Sequence, residues 1–164
     1  MGEIGMLIRV GIGEMAGVKA PDTIRTSGLG SCVGIVLYEE RSKFAAMGHI
    51  MLPDSTVSRN ARNRAKYADT AVEDLCRLIK EQRVPLHKVK AKIAGGSQMF
   101  QFGEANDTMR IGPRNVKAVR QCLAKVHIPI VAADVGGSKG RTIEFDPFTN
   151  ALKIRTVGAG ERII

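Results

Sequence analysis

Two hydrophobic periods alternate along the chain and divide it into strands and helices. Met6 to Val10 reads as an apolar strand that runs into Gly11 and Gly13. Cys32 to Tyr38 and Lys43 to Leu52 are two further strand-like runs, and the polar stretch Glu39-Glu40-Arg41-Ser42 between them suits a hairpin turn. From Tyr67 to Gln82 the period lengthens. Ala68, Ala71, Val72, Leu75, Cys76, Leu78 and Ile79 follow the i, i+3, i+4, i+7 spacing of a helix with one buried face. Val89 to Ala94 returns to a strand and stops at Gly95-Gly96. A second helix is expected from Pro113, with Val116, Val119, Leu123 and Val126 on its inner face, and Pro129 bars its continuation. Ile130 to Val135, Thr142 to Phe145 and Leu152 to Val157 complete the strands, with Gly136-Gly137 and Asp146-Pro147 as turns.

This pattern predicts a strand-rich α/β (α+β) fold with mixed sheets and two principal helices, in one domain over residues 1–164. An early hairpin, and three closing strands with no helix between them, exclude a doubly wound alternation. A chain of 164 residues is long enough for one core that buries roughly 70% of the unfolded surface. Its 44% hydrophobic and 25% charged residues are ordinary globular values. No apolar run approaches the roughly 20 residues of a membrane span, and no signal peptide opens the chain, so a cytoplasmic protein without membrane insertion is expected.

Cys32, Cys76 and Cys122 are odd in number and lack a C-x-x-C pair, which predicts reduced thiols and no zinc site. The net charge of +9 implies an acidic partner. Nucleic acid is excluded by the 4% aromatic content, the absence of Trp and the lack of any RNA-binding signature.

The hairpin carries the chemistry. If Glu39 to Ser42 form its loop, Tyr38 pairs with Lys43 and Cys32 falls opposite His49, on one face of the sheet and within about 5 Å at Cβ. A thiol with an ordinary pKa near roughly 8.5 is mostly protonated at neutral pH, and a neighbouring imidazole supplies the missing base. Gly28-Leu29-Gly30-Ser31 before Cys32 allows backbone N–H groups, including that of Cys32, to approach a developing oxyanion. Gly30 and Ser31 are therefore candidate substrate-binding positions. No metal or other cofactor is required by this chemistry.

Several segments resemble, in order, those of the chemoreceptor glutamine deamidase family, CheD. They include Thr26-Ser27-Gly28-Leu29-Gly30-Ser31-Cys32-Val33, Gly48-His49-Ile50-Met51-Leu52-Pro53-Asp54-Ser55 and Lys66-Tyr67-Ala68-Asp69-Thr70-Ala71. Ala94-Gly95-Gly96-Ser97-Gln98-Met99-Phe100, Ile111-Gly112-Pro113-Arg114-Asn115-Val116 and Gly136-Gly137-Ser138-Lys139-Gly140-Arg141 follow. The resemblance implies a strand-rich α/β sandwich flanked by helices, with an active site related to that of glutamine-deamidating toxins. It also implies hydrolysis of receptor glutamine side chains to glutamate, with methyl esters as a second substrate class. Cys32 takes the place of the family nucleophile, His49 that of its histidine, and Thr26 that of the threonine that orients the histidine. The implied partners are the cytoplasmic domain of chemotaxis receptors and a CheC-type phosphatase. A rival reading is a non-catalytic regulator of that phosphatase.

Gly11-Ile12-Gly13-Glu14-Met15-Ala16 has the G-x-G-x-x-A form, but Pro21 and the absence of helical periodicity deny a dinucleotide unit. Gly136 to Thr142 is a glycine-rich turn with spacing too short for a phosphate loop. Cys76 and Cys122 are packing residues, and His87 and His127 have no ligand-spaced partners. Arg59, Arg62, Arg64 and Lys66 form a basic stretch, either solvated or directed at an acidic receptor surface.

Overall fold

Each apolar run becomes an element, and three further strands appear that the pattern does not announce. The computed structural model describes residues 4–57, 62–99 and 110–164. Its strands are β1 (Leu7–Val10), β2 (Met15–Lys19), β3 (Thr23–Leu29), β4 (Val33–Glu39), β5 (Phe44–Ile50), β6 (Lys90–Gly95), β7 (Ile130–Val135), β8 (Arg141–Asp146), β9 (Ala151–Thr156) and β10 (Gly160–Ile163). The helices are α1 (Ala68–Glu81) and α2 (Ile111–Lys125). Phe100 and Arg59, both singled out in the sequence, lie outside the described residues.

The strands form two five-stranded sheets, ordered β1-β3-β8-β9-β10 and β2-β5-β4-β6-β7. They face each other across one apolar layer that includes Val10, Ile24, Leu29, Met47, Ile143 and Phe145. The helices cover the outer face of the second sheet, where Leu75 and Ile79 of α1 and Leu123 of α2 meet Ile35, Leu37 and Ile50. Every residue of β4 and β5 is buried, because one face of each meets the first sheet and the other meets the helices. That double burial explains their largely apolar character, whereas β8, covered on one side, alternates strictly. β6 and β7 pair in parallel, with α2 as the crossover between them. Among the described residues no helix is long and apolar enough to cross a membrane.

α2 starts two residues before Pro113, which occupies its first turn, where the missing N–H has no helical partner to lose. The three unannounced strands lack a readable alternation for identifiable reasons. In β2, Gly17 sits where a Cβ would come within 2.6 Å of the Phe44 ring, so close packing takes the place of a side chain. In β3 one inward position holds the polar Thr26. All four residues of β10, at the sheet edge, are exposed.

Candidate active site

His49, on β5, is buried on the same side as Ala45 and Met47 and therefore points into the layer between the sheets. Thr26 faces it from β3 of the opposite sheet, also buried, and its hydroxyl lies 2.7 Å from His49 Nδ1. The same hydroxyl is 2.7 Å from the carbonyl oxygen of Val10. A hydroxyl has one proton, and a carbonyl oxygen can only accept, so Thr26 donates to Val10 and accepts from Nδ1–H. This fixes the tautomer: the proton is on Nδ1 and the Nε2 lone pair is bare. Nε2 is buried and has no hydrogen-bond partner among the described residues. Burial also pushes the imidazole pKa down to about 4, so the ring is neutral at pH 7. A neutral ring with a bare nitrogen is a base ready to take a proton.

The hairpin register differs from the expected one. Gly34, not Cys32, lies opposite His49, because Glu39 pairs with Phe44 and the four-residue loop is Glu40 to Lys43. The loop slides by one residue for a physical reason. Glu39 stays in the strand and turns its carboxylate over the loop, accepting from the N–H groups of Arg41 and Ser42. Lys43 then closes the turn in the left-handed region at φ 56°. Sliding the loop by one residue moves each pairing by two, which preserves the face. Cys32, just before β4, therefore remains on the side of Gly34 and His49, packed against the inter-sheet core and two residues along the chain from the position opposite His49. Its thiol is half-buried, and burial raises its pKa, with its own backbone N–H acting in the opposite direction. The resting pair is a neutral thiol and a neutral imidazole.

Gly30 and Ser31 sit between two anchored points. A register shift between Thr26 and Leu29 bends the end of β3, with Gly28 at φ 73°. Gly30 donates its N–H to Gly28 and accepts from Ser97 N–H at 2.9 Å, and Cys32 O accepts from Gly96 N–H at 2.8 Å. The second loop is held in turn by the Ser97 hydroxyl, which donates to Lys139 O at 2.6 Å and accepts from Arg141 Nη1 at 2.9 Å. Arg141 is itself paired with Asp134 at 2.9 Å. Sequence reasoning singled out none of Ser97, Asp134, Arg141 or Asn115 for a role. Asn115 carries the one available signal, an amide on the apolar face of α2.

The basic stretch is partly committed elsewhere. Arg64 pairs with Glu73 at 2.7 Å and Asp74 at 2.9 Å on α1, which leaves it a poor candidate for an external acidic surface.

Comparison with known proteins places this geometry in context. Residues 51–156 match the family model described as CheD chemotactic sensory transduction. The chain is 53% identical over 160 residues to the chemoreceptor glutamine deamidase CheD of Bacillus subtilis, covering 97% of this chain and 96% of that one. It is 54% identical over 159 residues to the protein of the same description from Halalkalibacterium halodurans, covering 96% and 98%. The family model begins after His49, whereas alignments of this length necessarily span Thr26, Cys32 and His49.

Proposed function

The chain belongs to the CheD family, and from that premise we propose that it hydrolyses glutamine side chains of chemotaxis receptors to glutamate, with Cys32 as nucleophile, His49 as base and Thr26 as the residue that orients the imidazole. The observation that carries this reading is the Thr26–His49 hydrogen bond between the sheets, which leaves Nε2 bare on the face that Cys32 shares.

The steps follow from the protonation states. His49 Nε2 takes the Cys32 proton as sulfur attacks the amide carbon, and the carbonyl π pair moves onto oxygen. Collapse of that oxyanion breaks the C–N bond, and the imidazolium returns its proton to the departing nitrogen, which leaves as ammonia. A water then enters, Nε2 takes one of its protons, and the hydroxide attacks the thioester. Sulfur departs and is reprotonated, leaving glutamate. The backbone of Gly30, Ser31 and Cys32 lines the approach of the side-chain amide. A methyl ester fits the same scheme with methanol as leaving group.

The substrate is the receptor's cytoplasmic domain, and the enzyme works in the cytoplasm. A CheC-type phosphatase is a second partner, and neither role needs a cofactor. The test is incubation with a receptor cytoplasmic fragment and mass spectrometry of its glutamines. Conversion to glutamate by the wild type and none by Cys32→Ala is expected. Conversion by both would remove Cys32 from the chemistry, and conversion by neither would favour the regulator reading.

A further inference from the structure

Asn115 is fully buried in α2, on a face whose other inward residues, Val119 and Leu123, are apolar. Its side-chain nitrogen donates to two carbonyl oxygens, Ser31 O and Met51 O, each at 2.9 Å. Carbonyls only accept, so the NH₂ end of the amide must face them. Ser31 immediately precedes Cys32, and Met51 lies two residues past His49. One amide thus ties together the two chain segments that carry the nucleophile and the base. Its own oxygen is buried without a partner among the described residues. A buried acceptor in that state is unfavourable, so Asn115 is not explained as apolar packing.

The peptide geometry gives this tie a chemical consequence. Among the described residues the single cis bond is Ala20–Pro21, so the Ser31–Cys32 peptide is trans and its C=O and N–H point in opposite directions. With Ser31 O held inward toward α2, the Cys32 N–H is turned away from the helix, on the side of its own sulfur, where it favours the thiolate. A carbonyl attacked by that sulfur brings its oxygen beside the same N–H. The anchor is rigid, because the start of α2 is pressed against the loop that holds Gly30 and Cys32: a Cβ on Gly112 would lie 2.2 Å from Ser97 O.

We propose that Asn115 is a positioning residue for the deamidation, fixing the Ser31–Cys32 peptide so that the Cys32 N–H faces the oxyanion. The proposal rests on Cys32 being the nucleophile, and its test separates the two. Deamidation of a receptor cytoplasmic fragment is measured beside alkylation of Cys32 by iodoacetamide, a displacement at saturated carbon that forms no oxyanion. For Asn115→Ala, kcat is expected to fall about 100-fold, the scale of one lost oxyanion donor. KM should stay within about threefold, and the alkylation rate at the high-pH plateau, where the thiol is fully ionised, should match wild type, since neither measures oxyanion stabilisation; the released N–H shows in alkylation only as a higher pH at which that plateau is reached. A kcat within threefold of wild type overturns the proposal. So does a parallel fall in the plateau rate of alkylation, which would mean a loosened nucleophile loop. Deamidation that survives in Cys32→Ala sinks the underlying reading instead. If Asn115→Ala does not fold, the near-isosteric Asn115→Asp decides. Its kcat relative to wild type should rise as pH falls, because a protonated carboxyl regains one donor to Ser31 O. A pH-independent ratio overturns the proposal.

Discussion

Replacing Thr26 by valine keeps the shape of the side chain and removes one hydroxyl that does two jobs. In the folded protein this hydroxyl donates to Val10 O and accepts from His49 Nδ1–H, both at 2.7 Å and both away from water. Thr26→Val leaves a buried acceptor and a buried donor unmatched, each costing about 1–3 kcal/mol, so stability should drop by about 2–6 kcal/mol. The catalytic loss is separate. In the transition state the ring is an imidazolium, and a hydrogen bond from a charged donor exceeds the neutral bond of the resting state by about 1–2 kcal/mol. At about 1.4 kcal/mol per factor of ten, kcat should fall roughly 5- to 30-fold with KM little changed. Valine also frees the ring to carry its proton on Nε2, which disables the base and adds to the loss. The assay is steady-state deamidation of a receptor fragment at a temperature where thermal melts show the variant folded. Thr26→Ser, which keeps the hydroxyl, should recover most of the activity. A folded Thr26→Val enzyme with kcat within threefold of wild type would refute both the tautomer assignment and the role given to Thr26.

Two further outcomes are expected. The pH profile of kcat/KM follows from burial, which lowers the His49 pKa to about 4 and raises that of Cys32. The required form, thiol beside neutral imidazole, is lost as pH falls through about 4 and again as pH rises through the elevated thiol pKa, so the rate should be flat from about pH 5 to 8; an acid limb centred near 6.5 would contradict it. In Gly34→Ala the new Cβ would stand 2.6 Å from Ile143 Cδ1 and 3.3 Å from Leu29 Cδ1. Movement of these side-chain ends should cost about 1–3 kcal/mol in chemical denaturation and lower kcat by disturbing the strand opposite His49; unchanged stability and rate would show that the gap between the sheets is slack.

The apolar runs were legible because burial on two faces leaves little room for polar residues, as in β4 and β5. What they could not show is where a turn begins. Glu39 has the polarity of a loop residue, yet it ends a strand, because its carboxylate satisfies the loop amides of Arg41 and Ser42. The Cys32–His49 pairing predicted from the sequence was displaced for that reason, by two residues and not by one, so both stayed on one face. Thr26 carried no signal of its own in the chain. A polar residue at an inward position obscures the alternation of β3, and the partner that explains it lies 23 residues on, in the opposite sheet. Asn115 is similar, since its two acceptors are 84 and 64 residues away and no local pattern can anticipate them.

Alignment of the His49 ring is thus a property of sheet packing. His49 belongs to one sheet and Thr26 to the other, so the spacing of the sheets sets their separation. At this end of the sandwich that spacing depends on Gly34, whose missing side chain admits Ile143 and Leu29. Ile143 pairs with Thr26 in the neighbouring strand, so the contact that sets the spacing is one ladder step from the hydroxyl that holds the ring. The layer that binds the sheets together also excludes water from His49, which keeps the imidazole neutral. Substitutions that swell this layer should therefore act on the rate as well as on stability, whereas equal changes of volume beneath α1, on the far face of the second sheet, should act mainly on stability.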